Sequence, residues 1–218
     1  MQKKYTHITV LTGDLVRSTD LTAEALQKTL ETLERCSWDL EELMDSDLSF
    51  TLHRGDGWQV VIKQNEFTLR AMLAFRAALR SLAERGSQTK FDTRIAAASG
   101  KVILPLKTDL NQETQPVFIA SGRCLEAMGK TANQPHFASA DDPGFDATLA
   151  LADYISRQWT AAQSQAIYQS LISVATPTDT AIGAAIGKSR QTIARALHGA
   201  GQAHINAALT RLEQGQPA

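Results

Sequence analysis

The sequence predicts an α+β chain in two parts: a ferredoxin-like antiparallel sheet with helices over residues 1–156, then an all-α helix-turn-helix domain over 157–218. Three observations carry this. Short β-branched runs and leucine-periodic segments follow one another in the order β-α-β-β-α-β as far as Leu104. No β-type run occurs after Trp159. The charge changes sign at the same place: residues 1–155 hold 17 Lys and Arg against 21 Asp and Glu, whereas 156–218 hold 5 against 2.

His7 to Leu11 is the first strand, ended by Thr12-Gly13-Asp14. Leu26, Leu30, Leu33, Leu40 and Leu43 then recur at helical spacing. Leu48–His53 and Trp58–Ile62 read as a hairpin around Arg54-Gly55-Asp56-Gly57. Asn65 is placed to cap a second helix with an apolar face of Leu69, Met72, Phe75, Leu79 and Leu82, ended by Gly86. Phe91–Ala98 is the fourth strand, extended by Lys101–Leu104. Helices packed on one face of this sheet would bury both apolar stripes. A third helix starts near Pro116, a short strand covers His136–Ala138, and a fourth helix ends near Ser156. In the tail, Thr176-Pro177 reads as a cap with proline at the first helical position. Trp38, Trp58 and Trp159 are expected in the core or at an interface.

The composition, 43% hydrophobic and 21% charged over 218 residues, suits a soluble globular protein and excludes disorder, collagen and a coiled-coil rod. No apolar run approaches the ~20 residues needed to cross a bilayer. The N-terminal segment has no long apolar stretch and no small-residue cleavage site, so a cytoplasmic protein without a membrane partner is expected. Cys36 and Cys124 make neither a disulfide framework nor a zinc motif.

The chemistry lies in two carboxylates. Asp14 follows the first strand, and Asp56 sits at the hairpin tip between strands two and three. Strand three runs antiparallel beside strand one in this topology, so the two meet at one sheet edge. Carboxylate oxygens there suit Mg²⁺ or Mn²⁺, ions that can clamp a nucleoside triphosphate and activate its 3′ hydroxyl. Leu15-Val16-Arg17-Ser18-Thr19 leads from strand to helix, where backbone N–H groups can cradle phosphates. Gly55 and Gly57 flank Asp56 and allow close backbone approach to a ligand.

Five collinear segments then resemble one family. They are THITVLTGDLVRSTDL, FTLHRGDGWQVVI, FDTRIAAASGKVI with Arg94 and Gly100, PVFIASGRCLEAM, and HFASADDPGF. Together they span about residues 6–145 and resemble the palm domain of class III nucleotidyl cyclases. With the helix-turn-helix tail, the Thr-Gly-Asp start and Gly-Asp hairpin also resemble the SatD-type family. The cyclase resemblance implies that Asp14 and Asp56 hold the metals and that Leu15 lends a backbone carbonyl. It implies that Arg17, Ser18 and Thr19 meet the phosphates, and that Arg123 stabilises the transferred phosphoryl group across a homodimer interface. The sequence departs from that pattern at three places. Leu52 stands where adenylyl cyclases carry a base-selecting lysine, Ile119 where the family carries an asparagine, and helices replace the terminal hairpin with its lysine. Metal and triphosphate binding are therefore better supported than cyclisation. If the palm is catalytic it is a metal-dependent nucleotidyl cyclase; the alternative is a nucleotide-sensing transcriptional regulator with an inactive palm.

The tail segment from Ala181 to Leu197 resembles a helix-turn-helix. Ile182, Ile186, Ile193 and Leu197 have core spacing, Gly187 stands at the turn and Ser189 caps the second helix. Lys188, Ser189, Arg190, Gln191, Thr192 and Arg195 form the expected DNA-binding set. Arg190, Gln191, Thr192 and Arg195 would read base edges, while Lys188 and His198 would meet phosphates. A protein-contact or dimerisation module is the competing reading.

Overall fold

The computed structural model describes residues 4–53, 55–83, 91–129 and 134–214. The expected end of the second helix at Gly86 lies outside them. Five strands form one sheet: β1 (Tyr5–Leu15), β2 (Ser49–Leu52), β3 (Gly57–Ile62), β4 (Thr93–Ile103) and β5 (Phe137–Ser139). Eight α-helices accompany them among the described residues: α1 (Ala23–Met44), α2 (Thr68–Arg80), α3 (Pro116–Ala127), α4 (Pro143–Ser156), α5 (Ala161–Leu171), α6 (Asp179–Ile186), α7 (Arg190–Gly199) and α8 (Gln202–Glu213).

The strand order is β2-β3-β1-β4-β5. Its first four strands are antiparallel neighbours in the expected split βαβ arrangement. Two features differ from the expectation. The sheet is mixed, because β5 lies parallel to β4. The helices also occupy both faces. Parallel neighbours need a crossover, and α3 forms it, packing Val117 and Phe118 on Ile8, Val10, Val61, Ala98 and Val102. Helices α1 and α2 cover the opposite face, against Leu11, Val60, Ile62, Ile95 and Ala97. With both faces covered, β1 reads as a run of buried residues from Ile8 to Gly13 rather than an in-out alternation.

α2 is the pivot of the molecule. Every residue from Ala71 to Leu79 is buried, because the sheet lies on one side and α5 on the other. Arg76 has no exposure, yet it is saturated. Nε donates to Asp92 at 3.0 Å, one terminal nitrogen to Asp153 and Ser156 at 2.7 Å each, and the other to the Thr93 carbonyl. The guanidinium also lies 3.8 Å from the centre of the Phe137 ring. Arg80 adds bonds to Asp92 and to the Trp159 carbonyl.

The tail helices join this same core. Trp159, Ile167, Leu171, Ile182, Ile193, Leu197, Ile205 and Leu209 form one apolar cluster with Leu11, Trp58 and Phe75. Trp159 donates from Nε1 to the Ala200 carbonyl at 2.9 Å. Arg70 clamps Glu213 with two bonds of 2.5 and 2.8 Å and also reaches the Leu171 carbonyl. Thr160 opens α5 with a capping box.

Two local expectations are corrected. Asn65 does not cap α2. Its side chain is engaged by Thr9 and His7 of β1, and a 3₁₀ turn at Asn65–Phe67 precedes the helix. α6 starts at Asp179 with Thr178 as its cap, because the Thr178 hydroxyl rather than Thr176 receives the first free N–H. Of the three tryptophans expected in the core or at an interface, Trp58 and Trp159 are in the core, and Trp38, 58% exposed on α1, is outside it. No described helix is long and apolar enough to cross a membrane.

Candidate functional sites

Register brings the two carboxylates together. Asp14 stands opposite Gly57 on β3, and the Leu15 N–H donates to the Asp56 carbonyl at 3.2 Å. On its other side Asp14 stands opposite Arg94 of β4. The two side chains form a bidentate pair: Arg94 Nε donates to Asp14 Oδ1 at 2.9 Å, and a terminal nitrogen donates to Oδ2. The remaining terminal nitrogen of Arg94 donates to the Met128 carbonyl at 2.6 Å, so the guanidinium is held between β1 and the end of α3. The Thr93 hydroxyl fixes the Asp14 carbonyl at 2.7 Å.

The strand-to-helix turn follows at once. Val16 N–H donates to the Asp92 carbonyl at 2.9 Å, and Arg17 adopts a left-handed backbone with φ 56°. That conformation costs a non-glycine residue about 1 kcal/mol or more. The Arg17, Ser18 and Thr19 N–H groups have no hydrogen-bond partner among the described residues. Ser18 donates its hydroxyl to Asp56 Oδ2. Asp14, Leu15, Val16, Arg17, Ser18, Thr19, Asp56, Arg94 and His136 line a cleft of about 290 Å³.

Six of the expected site residues thus meet in one place: Asp14, Leu15, Arg17, Ser18, Thr19 and Asp56. Three do not line the cleft. Gly55 is exposed with φ 89°, and a Cβ at Gly57 would press on the His53 Cβ at 2.9 Å. Arg123 is exposed on α3, two residues beyond Ser121, whose hydroxyl meets Thr12 of β1 at 2.7 Å. Besides Val16, named only within the cradle segment, two lining residues were not singled out as site residues from sequence. Arg94 was visible only as part of a strand motif. His136 was visible only as the start of a strand.

Behind the cleft lies Asp92. Burial works to raise its carboxyl, but the Arg76 guanidinium, with His136 and Arg80, holds it well below the usual carboxylate range. His136 Nδ1 stands 3.8 Å from Asp92 Oδ2, beyond hydrogen-bond reach, so the two arginines are the bonded partners.

The donor set fits one divalent cation better than two. Asp56 Oδ1 has no partner among the described residues, whereas both oxygens of Asp14 already receive Arg94. No cluster of three or more His, Cys, Asp or Glu able to hold a metal occurs among the described residues. A cation here would complete its shell with water and phosphate, the usual arrangement for Mg²⁺.

The tail presents a second surface. α6 and α7 are joined at Gly187 (φ 67°), and the Lys188 N–H donates to the Gly183 carbonyl at 2.8 Å. A Cβ at position 183 would lie 2.5 Å from the Lys188 carbonyl, so glycine permits the tight turn. The Ser189 hydroxyl caps α7 by accepting from Thr192 N–H at 3.2 Å. Ile193 and Leu197 face the core, while Lys188, Ser189, Arg190, Gln191, Thr192 and Arg195 are exposed.

No protein-family model matches the chain, and no match among curated proteins was found. Solved structures that match include the guanylyl cyclase Cya2, at 16% identity and TM-score 0.44, covering 58% of this chain and 73% of that one. A bacterial light-regulated adenylyl cyclase matches at 14% identity and TM-score 0.46, covering 64% of this chain and 44% of the other.

Proposed function

We propose that the sheet edge binds the phosphates of a nucleoside triphosphate together with one divalent cation, and that the exposed face of α7 binds duplex DNA. The chain would then be a nucleotide-responsive DNA-binding protein. The observation that carries this reading is the cleft itself. Asp14 and Asp56 are adjacent there to three unpartnered backbone N–H groups and to the Arg17, Ser18 and Thr19 side chains. The five collinear cyclase-like segments support the same choice of ligand. Asp56 and the Leu15 carbonyl would hold Mg²⁺ or Mn²⁺, with Asp14 steadied by Arg94. When bound, the cation would neutralise phosphate charge and, in a catalytic site, polarise the reacting phosphoryl group.

The Arg94 fork on Asp14 favours sensing over turnover, because it removes one carboxylate from a two-ion clamp. The cyclase reading retains one support: the exposed Arg123 is free to serve a second copy of the chain, as the family resemblance implies. It therefore requires a homodimer. For the tail, the supports are the Gly187 turn, the Ser189 cap and the cationic face of α7. Residues 157–218 are proposed as the DNA-binding domain and residues 1–156 as the nucleotide-binding one.

Calorimetry with each of the four triphosphates, with and without Mn²⁺, tests the cleft. Wild type is expected to bind in a Mn²⁺-dependent manner and Asp56→Asn to lose that dependence. Wild-type protein that binds none of them refutes the reading. Selection from a random duplex library tests the tail. A motif that is lost with Arg190→Ala and Gln191→Ala is expected, and recovery of no motif would make α6–α7 a protein-contact unit.

A further inference from the structure

Adjacent segments of the sheet each bring one ionisable side chain to the same edge. In sheet order they are Asp56 from the β2–β3 hairpin, Asp14 from β1, Arg94 from β4 and His136 leading into β5. Three of them are engaged: Asp14 and Arg94 with each other, Asp56 with Ser18. His136 is not. Its side chain is 9% exposed, its carbonyl is fixed by the Ile95 N–H at 2.8 Å, and it lines the cleft.

The two ring nitrogens differ. Nδ1 is shut away from solvent without a hydrogen-bond partner; Asp92 Oδ2, 3.8 Å away, already accepts from Arg80. Nε2 has no partner among the described residues either, and it is not one of the fully buried polar atoms. Nε2 therefore keeps some access while Nδ1 has none, and His136 lines the cleft. A buried polar ring without partners costs about 1–3 kcal/mol, and such a group calls for a role. Metal ligation is not that role, since in strand order Arg94 stands between His136 and the Asp14–Asp56 pair, Asp92 is bonded by Arg76 and Arg80, and no three-residue metal set forms among the described residues. The Thr19 hydroxyl and the free N–H groups of Arg17, Ser18 and Thr19 make the cleft a place for oxyanions.

We propose that His136 is a ligand-contacting residue of this cleft, donating a hydrogen bond from Nε2 to a phosphoryl oxygen of the bound anion. This deepens the nucleotide reading and rests on it. It adds β5, through its leading residue, as a contact on the far side of Arg94 from Asp14 and Asp56.

The test uses inorganic tripolyphosphate with Mn²⁺, titrated calorimetrically into the full chain and three variants. In His136→Gln the amide nitrogen stands where Nε2 stood, and affinity within threefold of wild type is expected. In His136→Asn the amide reaches only the Nδ1 position, and at least tenfold weaker binding is expected. That is the loss of one hydrogen bond to a charged group. Asp56→Asn reports on the cleft itself. If His136→Asn binds within twofold of wild type while Asp56→Asn is impaired, the nucleotide reading stands and the role of His136 is overturned. If wild type does not bind tripolyphosphate, both fall. A measurement on wild type covers a variant that fails to fold. Diethyl pyrocarbonate modification, mapped by peptide mass spectrometry, should be slowed at least fivefold at His136 by saturating tripolyphosphate and unchanged at the exposed His204. Equal slowing at both, or none at His136, overturns the proposal.

Discussion

Asp92→Asn is the substitution whose effect the structure sets most closely. The carboxylate is 8% exposed and accepts from Arg76 at 3.0 Å, Arg80 at 3.1 Å and its own neighbour Thr93 N–H at 2.9 Å. The amide conserves shape and one acceptor oxygen but removes the charge between two guanidiniums. Breaking one partner from a buried ion pair costs about 3–5 kcal/mol. Arg76 keeps Asp153, Ser156 and the Thr93 carbonyl, so the lower end, about 3 kcal/mol, applies. For a chain of this size that is roughly 6–12 °C in Tm.

The pH dependence follows from the sign of the shift. The folded Asp92 carboxyl sits below its unfolded value of about 3.9. Its contribution is therefore complete above that value and fades as pH falls toward the folded one. Urea unfolding of wild type and Asp92→Asn at pH 7, 5 and 3.5 is the assay. The stability gap should be the same at pH 7 and 5, then narrow by roughly 0.7 kcal/mol at pH 3.5. A gap under 1 kcal/mol at pH 7, or one that widens in acid, would refute the reasoning.

Three further outcomes are expected. Gly13→Ala should destabilise by about 1–3 kcal/mol in the same urea assay, because a Cβ there overlaps the buried Trp58 indole on the facing strand; an unchanged midpoint would show that the ring can move aside. Gly187→Val should cost about 1–2 kcal/mol through its left-handed backbone, φ 67°, although the space around it is open; a neutral result would mean that the α6–α7 turn has another conformation in solution. Burial pushes the Cys36 thiol well above its ordinary range, while Cys124 is half-buried. A disulfide reagent at pH 8 should therefore modify Cys124 in the native chain and Cys36 only after unfolding; equal native rates would contradict this.

What was legible in the sequence was local or carried by alternation. The Asp14–Asp56 juxtaposition could be read because both residues end β-type runs whose pairing follows from the split βαβ order, and the register then places Asp14 opposite Gly57. The α7 cap was legible for the same reason: a Ser189 side chain can reach only its own helix start. The side chains that fail this test are held by distant partners. Asn65 has the chemistry of a cap, but β1 takes its amide. Arg94 carries a motif, but its pairing with Asp14 depends on β4 lying beside β1, and its second anchor on where α3 ends.

His136 and Arg76 mark the limit most clearly. A strand of three residues, Phe137–Ser139, has too little periodicity to announce its neighbour, so nothing local says that His136 joins the edge of Asp14. It arrives there because the β4–α3–β5 crossover must return on the face left free by α1 and α2. Arg76 lies in an apolar helix stripe, where a charge usually signals a solvated face. Full burial becomes tolerable only because Asp92 from the sheet and Asp153 and Ser156 from α4 converge on it from opposite sides. Composition changes near residue 156, but one apolar cluster runs across it. Arg80 bonds Asp92 and the Trp159 carbonyl, and the Trp159 indole bonds Ala200 at the end of α7. Two side chains in series, Arg80 and Trp159, therefore link the carboxylate behind the cleft to the end of the helix that carries Arg190 and Arg195.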